Sequence, residues 1–436
     1  MVRRDLLTGA LAPFVQSTRA EQPNILLILT DQQTHNAWSG CGNPWLRTPA
    51  MDSIAARGLA FTNAICPYPV CSPSRSSIFT SRMPHETGVM DNGKSIPSGM
   101  ATMGEIFSAA GYNTAYGGKW HLPKSFDGMT AFTKIAGGSA LGRNMDAPLA
   151  DACVKWLRAK PKGPYLLVAS FMNPHDICDW IRQHPGAREH PNVDRYPPAP
   201  VNMGVDPDEP EAIQHHRNAG YDLMSQAVGI AKDWQPDDMR QYHHDYYRMV
   251  EQVDAEIGKV LAAVDLPNTV VIFASDHGEG LGAHRWAQKA AFYEESLRVP
   301  LLMAGPGVVK GVNRQLATLA DILPTMCAIA GLPAPQDTRG VNLLAPFDRA
   351  FVTSELRYGA AEREGRMLRT RRYKYIRFNS GARAEQLFDL ASDPGETFNL
   401  ARRPEGASVL DEHRKLMRGW LASTGDVFQI PSSRSQ

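Results

Sequence analysis

The sequence predicts an α/β protein with a mostly parallel central sheet sandwiched by helices, and a small C-terminal subdomain built on an antiparallel sheet. Three observations lead there. Short continuous apolar runs recur along most of the chain, helical periodicity fills several of the gaps between them, and after about residue 345 the pattern changes to short strand-like pieces separated by turns.

The first run, residues 24–30 (Asn-Ile-Leu-Leu-Ile-Leu-Thr), is bounded by Pro23 and Asp31 and shows no polar alternation. That is the pattern of a strand buried on both faces of a parallel sheet. Further strands are expected at 113–116, 165–171, 269–275 and 299–304. The clearest helix covers 239–264, where Val250, Val253, Ile257, Val260, Leu261 and Val264 repeat at helical spacing and give one face to the sheet. From 181 to 236 the chain turns polar and rich in proline and histidine, which reads as a long surface excursion of the kind that shapes a pocket. Segments 367–370, 373–378 and 386–390 read as short strands and 409–421 as a closing helix. On this reading residues 1–20 stand outside the fold, 21–345 form the large domain and 346–436 the subdomain.

Composition narrows the function. A hydrophobic fraction of 43% and a charged fraction of 21% are those of an ordinary globular enzyme. A formal net charge of +1 gives no general reason to expect nucleic acid or a membrane surface as partner, so recognition of an anion has to be local. No run approaches the roughly 20 apolar residues of a bilayer span. Six cysteines in 436 residues are too sparse for a disulfide scaffold. At the N-terminus Arg3 and Arg4 precede an apolar stretch, 6–15, and then Ser17, Thr18, Arg19 and Ala20. This looks like a truncated twin-arginine leader and predicts export to the periplasm; a leader that does not function would leave the protein cytoplasmic, and a frayed extension is the plain alternative.

In an open α/β sheet, ligands bind beyond the carboxyl ends of the strands. Here the first strand ends in Asp31 and Gln32, the second runs into Lys119, Trp120 and His121, the third into Asn173, Pro174, His175 and Asp176, and the fourth into Asp276 and His277. Singly, each is how a polar loop begins; together they bring metal ligands, bases and cations to one edge. Asp31, Gln32 and Asp276 suit a hard cation, Ca²⁺ or Mg²⁺, while His277 leaves other metals open. Facing this edge, Ser72, Pro73 and Ser74 form a helix start whose free N–H groups would favour an anion beside Cys71 and Arg75. By itself Cys71 is equally a structural thiol or a thiolate nucleophile.

The spacing Cys71-x-Pro73-x-Arg75 matches the signature that sulfatases present for conversion of a cysteine to formylglycine. The chain resembles the type I, cysteine-type sulfatases of the alkaline-phosphatase-like superfamily. The resemblance runs from Asp31 through Gly118-Lys119-Trp120-His121 and Ser275-Asp276-His277-Gly278 to Leu387-Phe388-Asp389-Leu390 and Asp393-Pro394-Gly395-Glu396. It departs at two places: Gln32 stands where many members carry a second aspartate, and Ser81-Arg82 replace the glycine that commonly follows Thr80.

This resemblance implies a large domain of the alkaline-phosphatase-like fold and hydrolysis of a sulfate ester, by family analogy of a sulfated carbohydrate, with aryl and alkyl sulfates also open. It implies maturation of Cys71 by a formylglycine-generating enzyme. One divalent cation, Ca²⁺ by expectation and Mg²⁺ as the alternative, would be held by Asp31, Gln32, Asp276, His277 and the modified residue 71. A hydrated aldehyde at 71 would attack sulfur with Asp276 assisting its deprotonation. Arg75 and Lys119 would hold the diol and sulfate oxygens, and His175 and Lys289 would attend the substrate and its leaving alcohol. His121 would then deprotonate the second hydroxyl so that sulfate is expelled. His284 is a further candidate for substrate contact.

Other histidines and cysteines read as packing. The adjacent pairs His215-His216 and His243-His244 point in different directions on a helix and make poor metal sites, and Cys66 has no spaced partner pair. A phosphatase with a Ser or Thr nucleophile and two metals would need more Asp and His ligands than this edge offers. Two alternatives stay open: a formylglycine-dependent phosphonate monoester or phosphodiester hydrolase, and an unmodified, catalytically silent protein that binds sulfated ligands.

Overall fold

The computed structural model describes residues 22–122, 131–138, 141–184, 193–218, 228–358 and 363–430. The expected leader, 1–20, lies outside the described residues, as do parts of the 181–236 excursion. The five expected strands of the large sheet are present as β1 (Asn24–Asp31), β3 (Asn113–Gly118), β5 (Tyr165–Pro174), β6 (Thr269–Ser275) and β7 (Arg298–Ala304). Three more join them, β2 (Leu59–Ile65), β4 (Thr133–Gly137) and β8 (Gly311–Thr318), in the order β4-β3-β5-β1-β6-β7-β2-β8. Pairing is parallel except where β7 meets β6 and β2.

The three extra strands escaped the sequence pattern for a physical reason. β4 and β8 are edge strands with half-exposed, polar residues, and β2 has the half-buried polar pair Thr62 and Asn63 in its middle, so none shows a continuous apolar run. The innermost strand, β1, behaves as its sequence says. Ile25, Leu27 and Leu29 enter one core and Leu26 and Ile28 the other, all fully buried.

Each face has its cover. The helix Pro236–Leu261 buries Val250, Val253, Ile257 and Val260 beside Leu149, Cys153 and Leu157 of the helix Gly142–Arg158. Each such side chain contributes roughly 1.5–3 kcal/mol on burial. The first of these helices starts three residues before the expected Met239, because Pro236 suits the first helical position and Asp238 accepts from the Gln235 N–H at 2.6 Å. On the other face lie the helices Cys71–Thr80 and Ile322–Ile329. The excursion is not structureless, since it includes the helix Glu211–Asn218.

A second, four-stranded antiparallel sheet follows: β9 (Val352–Arg357), β10 (Glu364–Arg369), β11 (Tyr373–Phe378) and β12 (Glu385–Asp389), in the order β12-β11-β10-β9. Its Met367, Ile376 and Phe378 share the core of the large sheet, while Leu368, Tyr375 and Leu387 pack on the helix Ala407–Thr424. No helix among the described residues is long and apolar enough to cross a membrane.

Candidate active site

Neighbouring strands β3, β5, β1 and β6 end side by side, so their terminal polar residues meet. The ends are laced together: the Gln32 N–H donates to Asp276 Oδ1 at 3.2 Å, the Gln33 N–H to Ser275 Oγ at 2.8 Å and the Lys119 N–H to the Ser170 carbonyl at 2.9 Å. Gly118 is required for this approach. Its φ of +97° is left-handed, and a Cβ there would lie 1.9 Å from the Ser170 carbonyl oxygen.

The helix Cys71–Thr80 enters this edge with every residue buried. It begins at Cys71 itself, after an extended Val70 that gives no side-chain cap. Ser72 and Ser74, which resemble caps in sequence, instead tie the helix to the strand ends: their hydroxyls donate to the carbonyls of His121 and Asp276. The expected cradle of free helix N–H groups is also partly spent, because the Ser72 N–H donates to Asn92 Oδ1 at 3.0 Å. Positive charge reaches Cys71 by side chains instead.

Lys119 Nζ and Lys289 Nζ each lie 3.5 Å from Cys71 Sγ, and His277 Nε2 lies 3.2 Å from it. His121 and His175 are further neighbours of the thiol. Burial alone would raise the Cys71 thiol, but Lys119, Lys289 and His277 hold it well below its ordinary value. The same setting drives His175 down to about 3, through burial and then the ammonium groups of Lys119 and Lys289.

Arg75 sits beneath with no exposure and is fully engaged. It bonds Asp276 Oδ2 through Nε at 2.8 Å, Asp31 Oδ2 through Nη2 at 3.2 Å, and both Ser170 Oγ and the Lys119 carbonyl through Nη1 at 2.8 Å. Its guanidinium is bound to both carboxylates and orients them. Lys119 adds a 2.6 Å ion pair to Asp31. Burial and the charge of Cys71 oppose ionisation of Asp31, yet Lys119, His175 and Arg75 hold it well below the carboxylate range. Asp276 moves the other way, raised by burial and by Asp31.

Donor atoms of Asp31, Cys71, Asp276 and His277 all lie within 4.8 Å of one another and are fully buried. The carboxylate oxygens of Asp31 and Asp276, with that of Gln32 nearby, are hard donors of the kind that suit a hard cation, and the His277 ring nitrogen lies among them. The residues present therefore fit the divalent ion expected there.

Most of the expected site residues meet here: Asp31, Gln32, Cys71, Arg75, Lys119, His121, His175, Asp276, His277 and Lys289. His284 does not join them. It stacks on Tyr293 with ring centroids 3.7 Å apart and faces Glu295 and Glu396, a second buried cluster closed by Lys374. A loop residue eight positions past Asp276 had no local signal to show that its backbone, with φ +52°, turns it away. His216 packs between Trp286 and Tyr358, His243 bonds the Leu281 carbonyl, and Cys66 is buried. Missed by sequence reasoning were Ser170, Cys178, Tyr242 and Glu279, whose polar atoms contact Arg75 or Gln32, directly or through one another. Glu279, just after Ser275-Asp276-His277-Gly278, and Cys178, two residues past Asp176, stood near recognised motifs.

The family model for sulfatases matches residues 23–332, and the C-terminal model of N-sulphoglucosamine sulphohydrolase matches 282–420. The chain belongs to the sulfatase family. It is thereby a sulfuric ester hydrolase of the alkaline-phosphatase-like superfamily. Among its relatives, a Delta 4,5-hexuronate-2-O-sulfatase of Bacteroides thetaiotaomicron is 31% identical over 94% of this chain and 91% of that protein. The solved structure of a 2-O GAG sulfatase superposes with a TM-score of 0.84 at 28% identity, covering 93% of each chain. A phosphonate monoester hydrolase of Agrobacterium radiobacter shares the fold, with a TM-score of 0.75 at 20% identity over 92% of this chain and 96% of that one. This sulfatase thus carries the fold of its family with a thiol, two ammonium groups and a candidate metal-donor set at the strand ends.

Proposed function

We propose that this sulfatase removes the sulfate ester of a sulfated carbohydrate, with a 2-O-sulfated uronic acid as the leading substrate class, after Cys71 has been matured to formylglycine by a formylglycine-generating enzyme. One observation carries the reading: Cys71 Sγ lies at the meeting point of two buried ammonium groups, each 3.5 Å away, beside a donor set suited to a divalent cation. A structural thiol needs no such surroundings. The uronic-acid class is supported by the hexuronate-2-O-sulfatase and the 2-O position also by the 2-O GAG sulfatase, both of which align over nearly the whole chain.

Asp31, Gln32, Asp276 and His277 would hold the cation, Ca²⁺ by expectation. When present, the cation supplies charge against the sulfate oxygens and the hydrated aldehyde supplies the nucleophilic oxygen. The rest falls to the chain's own residues. Lys119 and Lys289 place two positive charges where sulfuryl oxygens would sit, which stabilises charge moving toward the leaving oxygen. Lys289 has its own anchor apart from residue 71: its ammonium donates to Gln32 Oε1 at 2.8 Å, a contact that conversion of Cys71 leaves in place. It is the proton-bearing group beside the leaving alcohol, with His175 neutral next to it. His121, a neighbour of residue 71, is the base proposed to take a proton from that residue. Arg75 keeps Asp31 and Asp276 in register throughout.

The test is to produce the protein with and without a formylglycine-generating enzyme and to examine the peptide carrying residue 71 by mass spectrometry. Sulfate release is then followed by ion chromatography from 2-O- and 6-O-sulfated disaccharides and from an aryl phosphate diester. The expected result is formylglycine at 71, with release from the 2-O-sulfated sugar in the modified sample alone. Unmodified Cys71 despite a competent partner, or preferred cleavage of the diester, overturns the reading.

A further inference from the structure

Gln32 is an ambident ligand. Its amide can present an oxygen, which accepts a hydrogen bond or ligates a cation, or an NH₂ group, which does neither. Exchanging the two costs no steric energy, so something outside Gln32 must decide which atom faces the Cys71 centre.

Its contacts show what decides. Gln32 Nε2 donates to Glu279 Oε2 at 2.7 Å, and Gln32 Oε1 accepts from Lys289 Nζ at 2.8 Å. Cys178 Sγ lies 3.3 Å from the amide nitrogen and 3.4 Å from its oxygen and, as a weak donor and weak acceptor, expresses no preference. Glu279 has no exposure, and its own orientation is pinned from behind. Its Oε1 accepts from the Tyr242 hydroxyl at 2.8 Å, from the Leu281 N–H at 3.2 Å and from the Gln288 N–H. With three donors on Oε1, Oε2 is left to face Gln32 as an acceptor.

We propose that Glu279 is a positioning residue that locks the Gln32 amide with its oxygen toward Lys289 and the cation. The inference rests on the cation reading given above for part of its test, and on the hydrogen-bond pattern alone for the rest. It also accounts for the glutamine at a position where an aspartate is common in the family. An aspartate would set a second carboxylate against the buried Glu279, whereas an amide turns the same contact into a hydrogen bond.

Glu279→Gln changes one atom and keeps the shape. Tyr242, Leu281 and Gln288 would hold the new amide oxygen in place of Oε1, so its NH₂ would fall where Oε2 was. Gln32 must then either turn its oxygen toward Gln at 279 and show NH₂ to Lys289 and the cation, or leave two NH₂ groups in contact. The double variant E279Q/Q32E reverses this: a carboxylate at 32 accepts from the new NH₂ and still offers an oxygen to Lys289, with the summed charge of the pair unchanged.

Calcium binding by isothermal titration and thermal unfolding without cation, both on the wild-type chain, E279Q and E279Q/Q32E, test the proposal. Expected are calcium binding at least about tenfold weaker in E279Q, the scale of one lost charge-assisted contact, a lower Tm for the same variant, and recovery of both in the double variant. Wild-type affinity and Tm in E279Q overturn it, as does a loss that the double variant fails to restore, which would mean Glu279 is merely structural. If the wild-type chain binds neither calcium nor magnesium, the cation reading falls and the unfolding series alone decides: recovery in the double variant upholds the lock, and its absence overturns it.

Discussion

Two buried charged clusters stand close together, joined where the Glu279 N–H donates to the Glu295 carbonyl, and they are balanced in opposite ways. In the cluster that joins the two sheets, carboxylates and cations pair off. Lys374 bonds Glu294 at 3.3 Å and also Glu396, Arg369 bonds Glu294 at 3.1 Å, and Asn202 donates to Glu295 at 3.0 Å. Around Cys71, two ammonium groups converge on a single sulfur, and the nearest carboxylates are already held by Arg75. A paired cluster makes a joint; positive charge gathered on one small atom leaves a demand that an incoming anion can meet.

The sharpest way to break that contrast is to remove its centre. Cys71→Ala is expected to lower sulfate release by at least about 10³-fold with an unchanged melting profile; activity near wild type would refute the role of residue 71. Lys119→Ala and Lys289→Ala, taken separately, should each cost about 10²–10³ in kcat/KM, and losses below tenfold would show that the converging charges are incidental. Lys374→Ala should do the reverse, costing about 3–5 kcal/mol of stability in urea unfolding because buried Glu396 loses its cation, while kcat of the folded protein stays within a few-fold. A kcat loss as deep as that of Lys289→Ala would erase the distinction.

The smallest effect is one of pH. His85 bonds Glu355 at 2.6 Å at the foot of the second sheet, and its value is raised; burial opposes the proton, but Glu355 and Asp426 outweigh it. A histidine raised in the folded state stabilises fully below its unfolded value near 6.5 and loses that contribution as pH climbs through the folded value. His85→Gln should therefore lower stability by on the order of 1 kcal/mol at pH 5.5, with the deficit shrinking by pH 9. A deficit that grows with pH would reverse the assigned sign.

Much of this was legible in the chain. Buried strands such as 24–30 announce themselves because a strand covered on both faces must be apolar throughout. Polar residues that end such strands have to lie at one edge, so Asp31, Lys119, His175 and Asp276 were found from four local signals. Edge strands 133–137 and 311–318 gave no signal because half their surface is solvated. The excursion hid its helix Glu211–Asn218 behind prolines and histidines.

The sequence by itself determined the sheet's inner strands, the Cys71 to Arg75 signature and the identity of nearly every group at the strand ends, because each of these depends on neighbours a few residues away. Tertiary structure alone decided what those groups face. It turned His284 toward Glu396, committed Arg75 to two carboxylates, and set Glu279 behind Gln32. The physical reason is distance along the chain: Lys289 meets Cys71 across 218 residues and Glu279 meets Gln32 across 247, and only the packed sheet carries contacts of that range.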